Sequence, residues 1–152
     1  MQDPAERGFS LVELAIVLVV MGILFALSVP NFQRLSSSYQ LRGAAENVAG
    51  QLRLAREKAI ATGVEQPLHI PNSTTYHMHY PSPIGISTTW TLPQGITFTN
   101  ATIGDWYYMA SDGRFYQDSG HTLTGSNVIV VGDTRGALDT VSVQLSGLIL
   151  IR

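Results

Sequence analysis

No cysteine occurs among the 152 residues, which excludes a disulfide scaffold, a zinc–thiolate site, a thiol nucleophile and an iron–sulfur cluster. A secreted domain of this size does not need disulfides, so an extracytoplasmic address stays open. Charge is scarce as well. The 13% of charged residues is about half of the roughly 25% usual in soluble domains. Nine basic against eleven acidic residues leave a formal charge of −2, with no global basic field for nucleic acid and no acidic tail. A hydrophobic fraction of 45% and a mean hydropathy of +0.14 exclude intrinsic disorder. The length suits one domain, or a small domain with an appendage.

The apolar residues are concentrated. From Phe9 to Val29 every residue is apolar except Ser10, Glu13, Gly22 and Ser28, and no charge follows Glu13 in that run. About 20 apolar residues cross a bilayer core as a helix, and a soluble core helix would show a polar face every 3.6 residues. This stretch shows none and reads as a membrane segment. A secretory signal peptide ending at Ala26-Leu27-Ser28 is one reading. The lone cation Arg7 beside Asp3 and Glu6, and the carboxylate inside the run, count against it. A plain single-pass anchor explains the length but not Glu13. A charge in hydrocarbon costs about 2.5–3.5 kcal/mol on insertion scales and calls for a partner. Glu13 lies near the start of the run, so headgroup contact or protonation would also relieve it. A cut between Gly8 and Phe9 would supply a better partner, a new α-amine four residues before Glu13, from its own chain or a neighbour's.

The stretch Arg7-Gly8-Phe9-Ser10-Leu11-Val12-Glu13-Leu14 resembles the class III signal of type IV pilins and pseudopilins. It has the basic residue before Gly8, the aromatic Phe9, the acid at Glu13 and a continuing apolar helix. Pro30 falls where such proteins commonly kink. The resemblance implies cleavage after Gly8 by a prepilin peptidase, N-methylation of Phe9 and loss of the leader 1–8. It also implies docking of the subunit into a filament through Glu13 and a neighbour's amine. Phe9 and Glu13 are then processing and assembly residues.

Beyond Pro30, apolar or small residues recur at Phe32, Leu35, Tyr39, Ala45, Val48, Leu52, Ala55 and Ala59, a helical stripe. Arg34, Arg42, Arg53, Arg56 and Lys58 lie largely off it and read as a solvated face. Gly63 suits a left-handed C-cap with Lys58 near the carbonyl end. Residues 9–62 then form one helix of about 80 Å at 1.5 Å per residue. Gly43 and Gly50 weaken it by roughly 1 kcal/mol each, and are expected to let it approach the rest of the protein closely.

From Val64 the hydrophobic period changes to two. Strands are expected at 64–70, 75–80, 87–92, 96–99, 106–110, 128–131, 140–144 and 148–151. Turn signals separate them at 71–72, 81–83, 93–95, 112–113, 118–120 and 124–125. The apolar runs VIVV and LILI suit central or closing strands. The expected organisation is a leader at 1–8, a transmembrane helix at 9–29, an amphipathic helix at 30–63 and a β-rich head at 64–152. The fold class is α+β: a long N-terminal helix packed on an antiparallel β-sheet head, the type IV pilin-like fold. The segments LPQGITF (92–98), SDGRFY (111–116), LRLAREKAIATG (52–63) and the ending Ser146-Gly147-Leu148-Ile149-Leu150-Ile151-Arg152 are similar to the GspH/FimT branch of minor pilins.

No catalytic or cofactor-binding set emerges. His77-x-His79 places two imidazoles on one strand face, but two ligands are too few for a metal site, and His69 and His121 are read as packing or surface residues. Asp105, Asp112, Asp118, Asp133 and Asp139 sit at turns rather than in a calcium loop. No G-x-S-x-G elbow is present. FimT-like relatives bind DNA through a C-terminal G-R-x-R motif. In this chain the matching place reads Gly147-Leu148-Ile149-Leu150, and residues 64–152 hold three cations and six acids, the wrong sign for phosphates. The expectation is a structural subunit, not an enzyme, without cofactor or metal. Its partners would be other pseudopilins or pilins, a prepilin peptidase and inner-membrane lipid, with the head in the periplasm. The type II secretion pseudopilus is the first setting; a FimT/FimU-like minor pilin of a type IV pilus, with DNA binding for uptake, is the alternative.

Overall fold

The computed structural model describes residues 9–79, 85–99, 102–117 and 127–152. Among the described residues a single helix, α1 (Leu11–Thr62), precedes nine strands. The chain divides into two compact units, Met1–Ser36 and Ser37–Arg152. In the first, Leu11 to Leu27 is a helix whose large apolar side chains all stand open to the surroundings.

The second unit begins with the C-terminal turns of α1. Its buried stripe is Leu41, Ala44, Ala45, Val48, Ala49, Leu52, Ala55 and Ala59, spaced by three and four as a core-facing helix requires. Small residues dominate the stripe: five of its eight members are alanines. Two expectations are corrected. Leu35 and Tyr39 are exposed, because the buried face passes through Leu41 and Ala44 instead. A Cβ added at Gly43 or Gly50 would meet nothing within 4 Å, so neither glycine serves close packing; alanines do. The helix stops at Gly63, whose φ of 68° is left-handed and costs glycine no Cβ clash. The Thr62 hydroxyl donates to the Lys58 carbonyl at 2.7 Å, a back-bond to the preceding turn.

Among the described residues the strands of the head form two antiparallel sheets. The strands are β1 (Gln66–His69), β2 (Thr75–His79), β3 (Ile86–Thr91), β4 (Ile96–Phe98), β5 (Trp106–Met109), β6 (Phe115–Tyr116), β7 (Asn127–Asp133), β8 (Leu138–Val143) and β9 (Ile149–Ile151). One sheet has the order β3-β2-β1-β5-β6, the other β4-β7-β8-β9. All expected strands are present, with ends displaced by a residue or two; position 80 and the turns at 81–83, 118–120 and 124–125 lie outside the described residues. The β6 strand is additional to the expected set, because two residues carry no period.

Both sheets and the helix share one core. Leu68, Tyr76, Met78, Tyr107, Met109 and Phe115 come from the five-stranded sheet, while Ile96, Phe98, Ile129, Val131, Val141, Val143 and Ile149 come from the other. Tyr76 joins the sheets, stacking on Trp90 with centroids 5.4 Å apart and meeting Phe98 edge-on at 5.9 Å. Each fully buried large apolar side chain contributes about 1.5–3 kcal/mol. VIVV lies in β7, between β4 and β8, and LILI supplies the edge strand β9.

Candidate assembly helix and head sites

The helix begins on a reciprocal pair. The Ser10 hydroxyl accepts from the Glu13 N–H, and a Glu13 carboxylate oxygen accepts from the Ser10 N–H, both at 3.1 Å. This is the S-x-x-E capping box, which satisfies two donors the first turn would leave orphaned. Glu13 therefore has a local partner besides the expected amine. Its carboxylate also meets the positive end of the helix dipole. Phe9 is 84% exposed next to it; Gly8 and the rest of 1–8 lie outside the described residues. The window Leu11–Ser28 has a mean hydropathy of 2.7 with none of it buried. By length and composition this helix is able to cross a membrane. Pro30 lies within α1.

At the other end of α1, two arginines fasten the helix to the head. Arg56 donates from Nε to the Gly113 carbonyl at 2.9 Å and from Nη2 to the Ser146 carbonyl at 3.3 Å. Arg53 donates to the Ile149 carbonyl at 3.3 Å. A cleft of about 330 Å³ opens there, lined by Arg53, Arg56, Glu57 and residues 146–149. The turns that receive Arg56 carry Gly113 and Gly147, with φ of 79° and 76°. At Gly147 a Cβ would collide with the Gly113 carbonyl and the Arg56 guanidinium. The expectation of a solvated face is thus corrected at Arg56: helical period locates a face, not the turn that folds over it.

The described aspartates are engaged by protein donors. Asp112 accepts from the Arg114 N–H at 3.0 Å. Asp133 accepts from the N–H groups of Arg135 and Ala137, both at 2.9 Å, and from the Arg135 guanidinium. Burial opposes ionisation of Asp133, but these donors outweigh it and hold its carboxyl below the usual range. Asp139 is paired with Arg42 at 3.5 Å, and Asp105 accepts from the Tyr107 hydroxyl and the Gln117 amide, both at 3.2 Å. Asp118 and His121 lie outside the described residues. Two of the head's three cations, Arg114 and Arg135, face these carboxylates, which leaves little for a phosphate backbone.

The face of the five-stranded sheet opposite the core gathers three histidines. Register pairs His69 with His77 across β1 and β2, and His69 with Trp106 across β1 and β5; His79 follows two residues after His77 on the same face. His69 Nδ1 and His77 Nε2 are 3.2 Å apart. One ligating nitrogen from each of the three lies within 4.8 Å of the others. Trp106 stacks on His69 with centroids at 4.1 Å and an interplanar angle of 11°. His77 and His79 are only 9% and 8% exposed. Local spacing leaves His69 apart from the other two, because strand register is a long-range property that it does not encode.

Burial and the neighbouring imidazoles push His69 below the ordinary histidine value; burial and His79 do the same to His77. When a folded-state pKa is depressed, the unfolded chain takes up protons first on acidification. The associated stability is therefore present above about pH 6.5, the unfolded value, and is lost as pH falls below it. The urea midpoint of the full chain in detergent is expected to drop between about pH 7.5 and about pH 5, a window above most carboxylate pKa values. The drop should shrink in the double variant His69→Gln/His77→Gln. Equal midpoints at the two pH values would contradict this.

A family model described as the prokaryotic N-terminal methylation motif matches residues 3–29. Among curated proteins, a fimbrial protein of Pseudomonas aeruginosa is 39% identical over 61 residues, 40% of this chain and 39% of that protein. The type II secretion system protein H of the same species is 30% identical over 76 residues, 50% of this chain and 44% of that protein. The aligned part thus spans about two fifths of the length of the curated relatives. Among solved structures, the type IV minor pilin FimU of P. aeruginosa gives a TM-score of 0.58 at 14% identity, covering 78% of this chain and 92% of that one. The minor pseudopilin EpsH from the type 2 secretion system of Vibrio cholerae gives 0.56 at 13%, covering 74% and 96%. At these identities the likeness shows the fold, which is type IV pilin-like.

Proposed function

We propose that this chain, a GspH/FimT-like type IV pilin, acts as a minor pseudopilin at or near the tip of the periplasmic pseudopilus of a type II secretion system. The observation that carries this reading is the stretch Leu11–Ser28 of α1, wholly exposed and predominantly apolar, beginning at the Phe9–Glu13 signal. Such a surface has to be covered by lipid and then by the equivalent helices of other subunits. A prepilin peptidase cuts between Gly8 and Phe9 and methylates the Phe9 amine. The mature chain waits in the inner membrane with its head in the periplasm. On docking, Glu13 exchanges its local cap for the amine of a neighbouring pilin or pseudopilin. The low-charge, Asp-turned head serves protein contact, and the role is structural rather than catalytic.

A second reading, a FimT/FimU-like minor pilin of a type IV pilus, is supported by the FimU likeness and the 39% match to fimbrial protein. Deletion of the gene in its own host separates the two. The secretion reading expects exoproteins to accumulate in the periplasm while surface pili persist, with rescue by the intact gene. Loss of pili with normal secretion would establish the second reading instead.

A further inference from the structure

We propose that His69, His77 and His79 form a site for a divalent transition-metal ion, with Zn²⁺ as the fitting ion, on the face of the five-stranded sheet opposite the core. Two nitrogens bound at 2.0–2.1 Å to a tetrahedral zinc lie about 3.3 Å apart. His69 Nδ1 and His77 Nε2 are 3.2 Å apart, already at the spacing of two such ligands. His79 Nδ1 or Nε2 completes a trio whose atoms all lie within 4.8 Å of one another.

The donor set selects the ion. Three imidazoles with no thiolate suit Zn²⁺, Cu²⁺ or Ni²⁺, whereas Ca²⁺ and Mg²⁺ require oxygen ligands. Among the described residues no carboxylate belongs to this group. Three protein ligands leave a fourth zinc position for water or for a donor from a neighbouring subunit.

The surroundings are those of a supported site. His69 is held flat against Trp106, whose ring also lies 4.7 Å from His79. His77 and His79 are two residues apart on one strand, so the backbone fixes their separation, and pairing with β1 fixes the third ligand. A bound ion would cross-link β1 to β2 and stabilise the folded head by mass action.

The test uses full-length protein in detergent, purified without a polyhistidine tag, equilibrated with Zn²⁺ and assayed for bound metal by mass spectrometry. One Zn²⁺ per chain is expected, with a rise in melting temperature. The variants His77→Gln and His79→Gln should each weaken binding on the order of tenfold or more, while His121→Asn should bind as the parent does. A second readout guards against a variant that fails to fold. In Trp90→Phe the remaining indole is Trp106, and stoichiometric Cu²⁺ should quench its fluorescence. Binding that persists undiminished in both β2 variants would overturn the site, as would absence of Zn²⁺ binding together with unquenched Trp106.

Discussion

Glu13→Ala is expected to leave the protein anchored and folded yet nearly absent from the filament. In the bilayer a carboxylate at Glu13 costs about 2.5–3.5 kcal/mol, partly relieved by its bond to the Ser10 N–H. On the assembly role proposed for Glu13, the amine of a neighbour would cancel that cost in the filament. That difference would draw the subunit out of lipid and into the assembly. Alanine carries no cost in lipid and gains nothing in the filament, so the drive disappears. An energy of this size corresponds to on the order of a hundredfold in partitioning. The measurement is the ratio of filament-associated to membrane-associated subunit after shearing and fractionation. Ser10→Ala is the control: it removes the hydroxyl half of the capping box and keeps the carboxylate with its bond from the residue-10 N–H. If Ser10→Ala lowers incorporation as much as Glu13→Ala does, capping of the helix start, and not pairing between subunits, is the role of Glu13.

Gly147→Ala is expected to cause a large loss of stability in the head. Three costs coincide there. A non-glycine residue at φ 76° carries a strain of roughly 1–2 kcal/mol. The new Cβ collides with the Gly113 carbonyl and the Arg56 guanidinium, and overpacking costs about 1–3 kcal/mol. Displacing Arg56 breaks charged hydrogen bonds to two turn carbonyls, each type worth about 1.5–3 kcal/mol. The costs are not additive, because displacing Arg56 relieves the collision, and the expected total is about 3–5 kcal/mol, a large share of the roughly 5–15 kcal/mol that holds a domain together. Denaturant unfolding of the full chain in detergent reads it directly. Gly136→Ala calibrates the result, since its φ of 85° carries the backbone cost but its Cβ meets nothing within 4 Å. Arg56→Ala should fall between the two, at about 2–3 kcal/mol. A Gly147→Ala midpoint equal to that of Gly136→Ala would mean that the Arg56 clamp contributes nothing.

Glu13 and Gly147 differ in how far a linear sequence displays their physics. The apolar run, the S-x-x-E start and the glycine at position 63 are local signals, so the helix and both its ends are legible, although the capping box is easily overlooked inside the pilin-like signal. The alternation around Tyr76 and Met78 is likewise sufficient for β2. What stays hidden depends on chain segments far apart in sequence meeting in space. Arg56 reaches Gly113 and Ser146, 57 and 90 positions away, and nothing in the helical period foretells those turns. His69 joins His77 through strand register, which turns a pair of imidazoles into a three-nitrogen cluster. The division of the head into two sheets follows from pairings such as β1 with β5 and β4 with β7, both between strands that are not consecutive. The glycines at 43 and 50 mislead for the opposite reason. Helix glycines suggest close approach, but only the register of the buried stripe decides whether they face it, and in α1 the alanines do.

Processing at the start of α1 is the step on which assembly depends most, and the intact mass of the protein recovered from membranes of its own host tests it most directly. The expected species begins at Phe9, carries one additional methyl group on its amine and lacks residues 1–8. A chain beginning at Val29 would mean that the apolar run is a secretory signal peptide, and an unprocessed chain beginning at Met1 would reduce it to a plain anchor. Either result would contradict the assembly role of Phe9 and Glu13.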